Sequence, residues 1–254
     1  MSWDPALYLR FADQRLRPAL DLLARIDLDA PGEIVDLGCG AGNVTVRLKH
    51  RWPAARFLGV DNSPAMLAKA RATDPLVRWQ HGELETWMPE RPPGLLYSNA
   101  ALQWADRHEE LFPRLANSVA PGGVFAVQMP HQHDAPSHQA AFALAKSPRW
   151  RDALHQVVRE SPVAEAQQYY DWLVPHVRSL DIWETEYLQI MQGENPVADW
   201  TSGTFLLPFL EVLQGGERAA FDAEYRAAIS AAYPKRPDGR TLFPFRRLFI
   251  IATL

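Results

Sequence analysis

The chain has 254 residues, 47% of them hydrophobic, enough to bury a full-sized core, so a disordered chain is excluded. Lys and Arg total 26 against 30 Asp and Glu, a formal net charge of -4 that offers no global positive field for a nucleic-acid backbone. One cysteine, Cys39, excludes an internal disulfide and a multi-thiolate metal site. The opening MSWDPALYLRF has Asp4 and Pro5 where a secretion signal needs a basic patch and an apolar run, and no stretch approaches the ~18 apolar residues of a membrane span, so a soluble, cytoplasmic protein is expected.

In chain order, residues 6 to 25 carry Leu7, Leu9, Phe11, Leu16, Leu20, Leu22 and Leu23 at helical spacing, a leading helix that Pro18 is expected to kink or split. Strands then alternate with helices. EIVDL, a helix near 43 to 51, RFLGVD, a helix from Pro64 to Ala72, VRWQ, GLLYSN at 94 to 99, a helix near 108 to 119 and VFAVQM at 124 to 129 make a doubly wound α/β core. Residues 130 to 179 are rich in Ala, His, Gln and Pro, with helical stretches near 137 to 146 and 164 to 178. LDIWETEYLQIM at 180 to 191 returns to a strand, 196 to 233 is helical, and TLFPFRRLFIIATL closes the chain as a buried strand. With no repeat or low-complexity linker, the chain reads as one domain over 1–254. It has a lid helix at 1–27, a cofactor core at 30–129, helical cap insertions at 130–179 and 196–240, and closing strands at 180–191 and 243–252.

The stretch Val35-Asp36-Leu37-Gly38-Cys39-Gly40-Ala41-Gly42-Asn43 is the most informative. Three glycines at alternate positions after an apolar strand permit positive φ and let a ligand lie on bare backbone, while the next helix offers unpaired N–H groups. Asn43 stands where a dinucleotide fingerprint needs its third glycine, which counts against hydride transfer. The bland alternative is a tight turn. Asp61, at the tip of the second strand and followed by Asn62-Ser63-Pro64, is placed either to accept both hydroxyls of a ribose or to cap the helix starting at Pro64.

Together these segments resemble the class I S-adenosylmethionine-dependent methyltransferases, which implies a mostly parallel seven-stranded Rossmann-like sheet and S-adenosylmethionine as cofactor. On that resemblance Asp36, Gly38, Gly40, Gly42 and Asn43 surround the methionine part. Asp61 serves the ribose, Glu83 and Leu84 the adenine and Asn99 of SNAALQW the aminoacyl end, with Asn62 and Met66 as further cofactor-binding candidates. For Asn99 a turn or helix cap is the alternative. WDPALYLRFADQRLRPALDLLAR, NSPAMLAKAR, SNAALQW, PGGVFAVQMP, the pair Tyr169-Tyr170, DIWETEY and FRRLFIIA resemble, end to end, the trans-aconitate 2-methyltransferase family. That resemblance implies a small tricarboxylic acid as substrate and a monomethyl ester as product. The loop HQHDAPSH at 131 to 138 departs from the family, which shows an acid and an amide after the proline and only the last histidine. Arg246 likewise replaces the proline of its FPRLF.

A carboxylate is ionised at pH 7, so the reaction needs alignment rather than a general base, and no catalytic dyad is expected. The site must instead offer cations and donors. Lys235, Arg236, Arg240, Arg246 and Arg247 stand against a single acid, Asp238, between 234 and 247, and the resemblance points to Arg247 as the substrate cation. Trp104, His138, Tyr169, Tyr170 and Trp200 are further substrate-side candidates. Tyr8, Phe11 and Arg15, three and four residues apart, share a helix face that serves either as a lid over the cofactor or as a packed amphipathic face. His131, His133 and His138 invite a metal reading, but the Pro-interrupted loop gives no rigid ligand spacing, so no metal is expected. The alternatives are a carboxyl methyltransferase of another small acid or acyl-carrier-protein thioester, and a non-catalytic module that binds the cofactor. Intact Gly38, Gly40, Gly42 and Asp61 count against the last.

Overall fold

Strands β1 (Glu33–Leu37) and β2 (Arg56–Asp61) are largely apolar on both faces, as central strands of a parallel sheet must be, and four residues of each are buried. The computed structural model describes residues 12–158 and 161–254. Helix α1 (Ala12–Arg25) precedes β1; it runs through Pro18 as one element rather than splitting. Next come α2 (Asn43–Arg51), β2, α3 (Pro64–Thr73), β3 (Arg78–His81), β4 (Leu95–Asn99), a 3₁₀ turn (Leu102–Trp104), α4 (His108–Ala116) and β5 (Val124–Pro130). Helices α5 (Pro136–Lys146), α6 (Arg151–Leu154) and α7 (Ala166–Leu173) lead to β6 (Ser179–Met191). Helices α8 (Pro196–Ser202), α9 (Leu207–Val212) and α10 (Gly215–Ala232) lead to β7 (Thr241–Thr253).

The sheet has seven strands in the order β3-β2-β1-β4-β5-β7-β6. β1 pairs in parallel with both β2 and β4, β3 with β2, and β5 with β4, whereas β7 runs antiparallel to β5 from Val124↔Thr253 to Pro130↔Arg247. The strand order reverses between β1 and β4, and in such sheets ligands lie in the crevice outside the carboxyl ends of the strands at that reversal. The seven-stranded doubly wound sheet is therefore as expected from sequence. Details differ where proline intervenes. The helix expected at 164 to 178 gives way after Leu173 to a 3₁₀ turn over Pro175, which has no N–H to continue the ladder. The helical stretch 196 to 233 is three helices, and α6 has no clear signal in the sequence.

The chain divides into two compact units. One comprises 16–131, 162–185 and 247–254; the other 1–15, 132–161 and 186–246. The first, here the strand-tip unit, has a core in which Leu37, Val60, Leu96, Val127, Met129 and Ile250 pack with Phe112, Leu115 and Tyr169. The second is built on aromatics. Trp150 meets Phe221 edge-on at 5.5 Å, Phe221 stacks on Phe209, and the Tyr225 hydroxyl donates to Thr201 Oγ1 at 2.8 Å. Among the described residues no helix is long and apolar enough to cross a membrane.

Candidate active site

All three glycines of the turn after β1 have positive φ, but they are glycine for different reasons. A Cβ at Gly38 would stand 2.1 Å from Ala101 Cβ, so the absent side chain lets the loop after β4 close on the loop after β1. A Cβ at Gly42 would meet the Trp79 ring at 2.7 Å. At Gly40 a Cβ meets nothing within 4 Å. Gly38 and Gly42 are thus demanded by packing, and Gly40 is the one whose bare backbone faces open space.

Asp61 ties this turn to the next strand tip. Its Oδ2 accepts the Gly40 N–H at 2.9 Å and its Oδ1 the Ser63 N–H at 2.9 Å. The cap of α3 is Ser63, whose hydroxyl accepts the Met66 N–H, so the capping alternative for Asp61 falls. Each carboxylate oxygen keeps a second lone pair for a ligand hydroxyl. Beside it Asn62 Nδ2 donates to Glu83 Oε2 at 3.0 Å, joining the ribose and adenine candidates at neighbouring tips. Leu84 is half-buried with Cδ2 against the Gly38 position, and Met66 is half-buried on the first turn of α3.

Asp36 is 2% exposed and accepts from Thr45 Oγ1 at 2.6 Å, a brace from β1 to the first turns of α2. Burial pushes its carboxyl up to about 7, Thr45 pulls the other way, and the charge of Asp61 adds to the rise. Asn43 opens α2 directly after Gly42. These cofactor candidates, Asp36 to Asn99, all lie in the strand-tip unit.

At the tips of β4 and β5 the polar groups are not all satisfied. Ala100 holds φ 52, a left-handed conformation rare for a residue with a side chain, and its N–H donates to the Gln128 carbonyl at 2.8 Å. Asn99 Oδ1, Gln103 Oε1 and Gln128 Nε2 are buried without a hydrogen-bond partner among the described residues. Such orphans are uncommon, and each calls for a partner such as an ordered water or a ligand group. Arg247, 5% exposed, donates from Nη1 to Gln128 Oε1 at 3.2 Å.

Below this tip lies a fully oriented relay. His108 Nε2 is 2.9 Å from the Leu102 carbonyl, which can only accept, so Nε2 carries the proton. Burial lowers the His108 pKa, leaving Nδ1 to accept from the Tyr169 hydroxyl at 2.5 Å, and that oxygen accepts the Ala164 N–H at 3.3 Å. This corrects the expectation for Tyr169. It has no exposed surface, packs against Phe112 and Trp172, and holds His108 rather than presenting itself to a substrate. Its neighbour Tyr170 points the other way and is 53% exposed, since adjacent helix residues face different sides. Trp104 is also exposed. His131, just past β5, is buried between Glu184, which contacts Nδ1, and Glu165 at 3.6 Å from Nε2.

The remaining candidates belong to the second unit. Trp200 is buried on Phe243 and Phe245 beneath the Arg15 guanidinium, 4.2 Å from the ring centroid, and Arg15 Nη2 donates to the Trp200 carbonyl at 3.3 Å. His138 lies tilted against Phe205, ring centroids 3.7 Å apart, and burial, with a smaller push from His133, lowers its pKa to about 3. Tyr8 and Phe11 lie outside the described residues. Gln128, Thr45, Trp79, Ala100 and His108 were not apparent from sequence, because their roles depend on register and on contacts between separate elements.

The sequence pattern of the methyltransferase-domain family matches residues 34–123. A curated relative, trans-aconitate 2-methyltransferase of Azoarcus sp. (strain BH72), is 46% identical over 252 residues, covering 99% of this chain and 98% of its own. The crystal structure of the YcgJ protein from Bacillus subtilis superposes with a TM-score of 0.62 at 13% identity, covering 93% of this chain and 97% of the other. An S-adenosylmethionine dependent methyltransferase from Mesorhizobium loti gives 0.52 at 20% identity, covering 92% and 96%.

Proposed function

Since the chain belongs to the trans-aconitate 2-methyltransferase family, we propose that it transfers the methyl group of S-adenosylmethionine to a carboxylate oxygen of trans-aconitate, giving a monomethyl ester. The observation that carries this reading is the pairing of a closed frame, Gly40 fixed on Asp61, with unfilled polar groups at Asn99 and Gln128 beside a buried arginine. When bound, S-adenosylmethionine would supply an electrophilic sulfonium methyl, whose carbon–sulfur bond would give way to the new oxygen–carbon bond with the electron pair left on the neutral thioether.

The protein's residues bind and orient. Asp61 accepts the ribose hydroxyls through its free lone pairs, Glu83 flanks the adenine with Leu84 against the ring, Asn62 and Met66 line the rim beside them, and the Gly38–Gly40 backbone and Asn99 Oδ1 receive the aminoacyl end. An acceptor such as Asn99 Oδ1 suits an ammonium group. Arg247 holds an acid carboxylate through its planar fork. Trp104 and Tyr170 serve the acceptor side. Chemistry requires no base, because the acceptor oxygen is already anionic.

The test is transfer from a methyl-labelled donor over a panel of di- and tricarboxylic acids. Trans-aconitate should be the preferred acceptor and yield one methyl ester, and Arg247→Lys, which keeps the charge and loses the fork, should lower kcat/KM more than tenfold, or about 1.4 kcal/mol. Transfer to other acids but not to trans-aconitate would overturn the substrate, and unchanged kcat/KM in Arg247→Lys would remove that residue from the site.

A further inference from the structure

Gln128 lies on β5 between Val127 and Met129, which face the core. Its own side chain is on the other face, paired in register with Asn99 of β4 on one side and Phe249 of β7 on the other. It has no exposed surface. Its Oε1 accepts from Arg247 Nη1, and since a guanidinium only donates, this contact fixes which end of the amide is oxygen. The Nε2 end, with two N–H donors, is buried and has no partner among the described residues. A buried donor left unsatisfied is costly to the fold. The bond to Arg247 accounts for the Oε1 end alone, so the buried Nε2 end answers a need other than packing.

Two buried donors next to a buried guanidinium suit a carboxylate. The strand order places β5 two strands from β1, roughly 10 Å at ~4.8 Å per strand, and β7 farther still. The pair is therefore displaced from the glycine turn by two strands or more. A carboxylate gripped by amide and guanidinium has its lone pairs occupied, and it is thereby the one that does not react.

Resting on the function proposed above, we infer that Gln128 Nε2 and Arg247 together receive a second, unmethylated carboxylate of the acceptor acid, and that Gln128 sets the preference for polycarboxylates over monocarboxylates. Three measurements test this. Gln128→Glu keeps an acceptor for Arg247 but loses the donors, and should raise KM for trans-aconitate at least tenfold while calorimetric affinity for S-adenosylmethionine stays within twofold. Gln128→Met, neutral and of similar size, separates donor loss from charge and should also raise KM severalfold. In the unaltered chain the Gln128 side-chain amide signals should shift when trans-aconitate is titrated in, a readout independent of whether either variant folds. Unchanged KM in Gln128→Met, a loss of cofactor affinity matching any rise in KM, or amide signals indifferent to the acid would each overturn the inference while leaving the function standing. No transfer to trans-aconitate by the unaltered chain would overturn both.

Discussion

The tips of β1 and β2 and the tips of β4, β5 and β7 belong to one sheet yet are finished differently. At the first, the key polar groups have protein partners: Asp36 with Thr45, Asp61 with the Gly40 and Ser63 N–H groups, Asn62 with Glu83. At the second, Asn99, Gln103 and Gln128 each leave a buried polar atom without a partner among the described residues, and Ala100 holds a left-handed backbone. A frame that is complete by itself fixes where a cofactor goes. A tip that is incomplete by itself reserves its bonding for what arrives, which is how a site binds without first breaking its own hydrogen bonds.

The sharpest way to break this contrast is within the glycine turn. Gly38→Ala places a Cβ 2.1 Å from Ala101 at positive φ, so it should lose on the order of 3 kcal/mol or more in urea unfolding. Gly40→Ala, with open space around it, should lose only about 1 kcal/mol from backbone strain yet weaken S-adenosylmethionine binding in calorimetry. Equal stability losses would show that Gly40 is not set apart. An intermediate effect is expected at Asp61: Asp61→Ala should cost about 1.5–3 kcal/mol of cofactor affinity, the scale of lost charged hydrogen bonds. A folded variant with unchanged affinity would remove it from the ribose.

The pH dependence of Asp36 sharpens the frame side. Its folded pKa of about 7 lies above the ordinary 3.8, so the folded state holds the proton more tightly. Stability from that proton is present in full below about pH 4 and is lost as pH rises through about 7. Asp36→Asn keeps an acceptor for Thr45 and has no charge to bury, so it should be the more stable protein at pH 8, by roughly 4 kcal/mol, with the gap closing toward pH 4. A gap that does not change with pH would contradict the buried carboxyl.

The frame was legible in sequence because strand, glycine turn and helix follow one another within about ten residues, each with its own local signature. Asp61 was legible for the same reason, although its bond to Gly40 was not. Thr45, nine residues beyond Asp36, gave no sign of its brace, and Trp79 none of its seat on Gly42, because both depend on how separate elements pack. The unfilled tip was harder. Gln128 reads as an ordinary polar residue in an apolar strand until the register sets it beside Asn99 and Arg247 bonds its oxygen. Tyr169 shows the reverse error: a tyrosine pair reads as a binding signature, and only the fold reveals that one member is spent on His108.

The central claim is that the acid brings its own nucleophile and that the protein only aligns it. Single-turnover methyl transfer to trans-aconitate, with donor and acceptor both saturating, tests this most directly. The rate of the chemical step should be flat from about pH 6 to 9, above the ionisation of the acid itself. A single-base limb near neutrality that persists in Asp36→Asn and in replacements of His131, His133 and His138 would contradict the account.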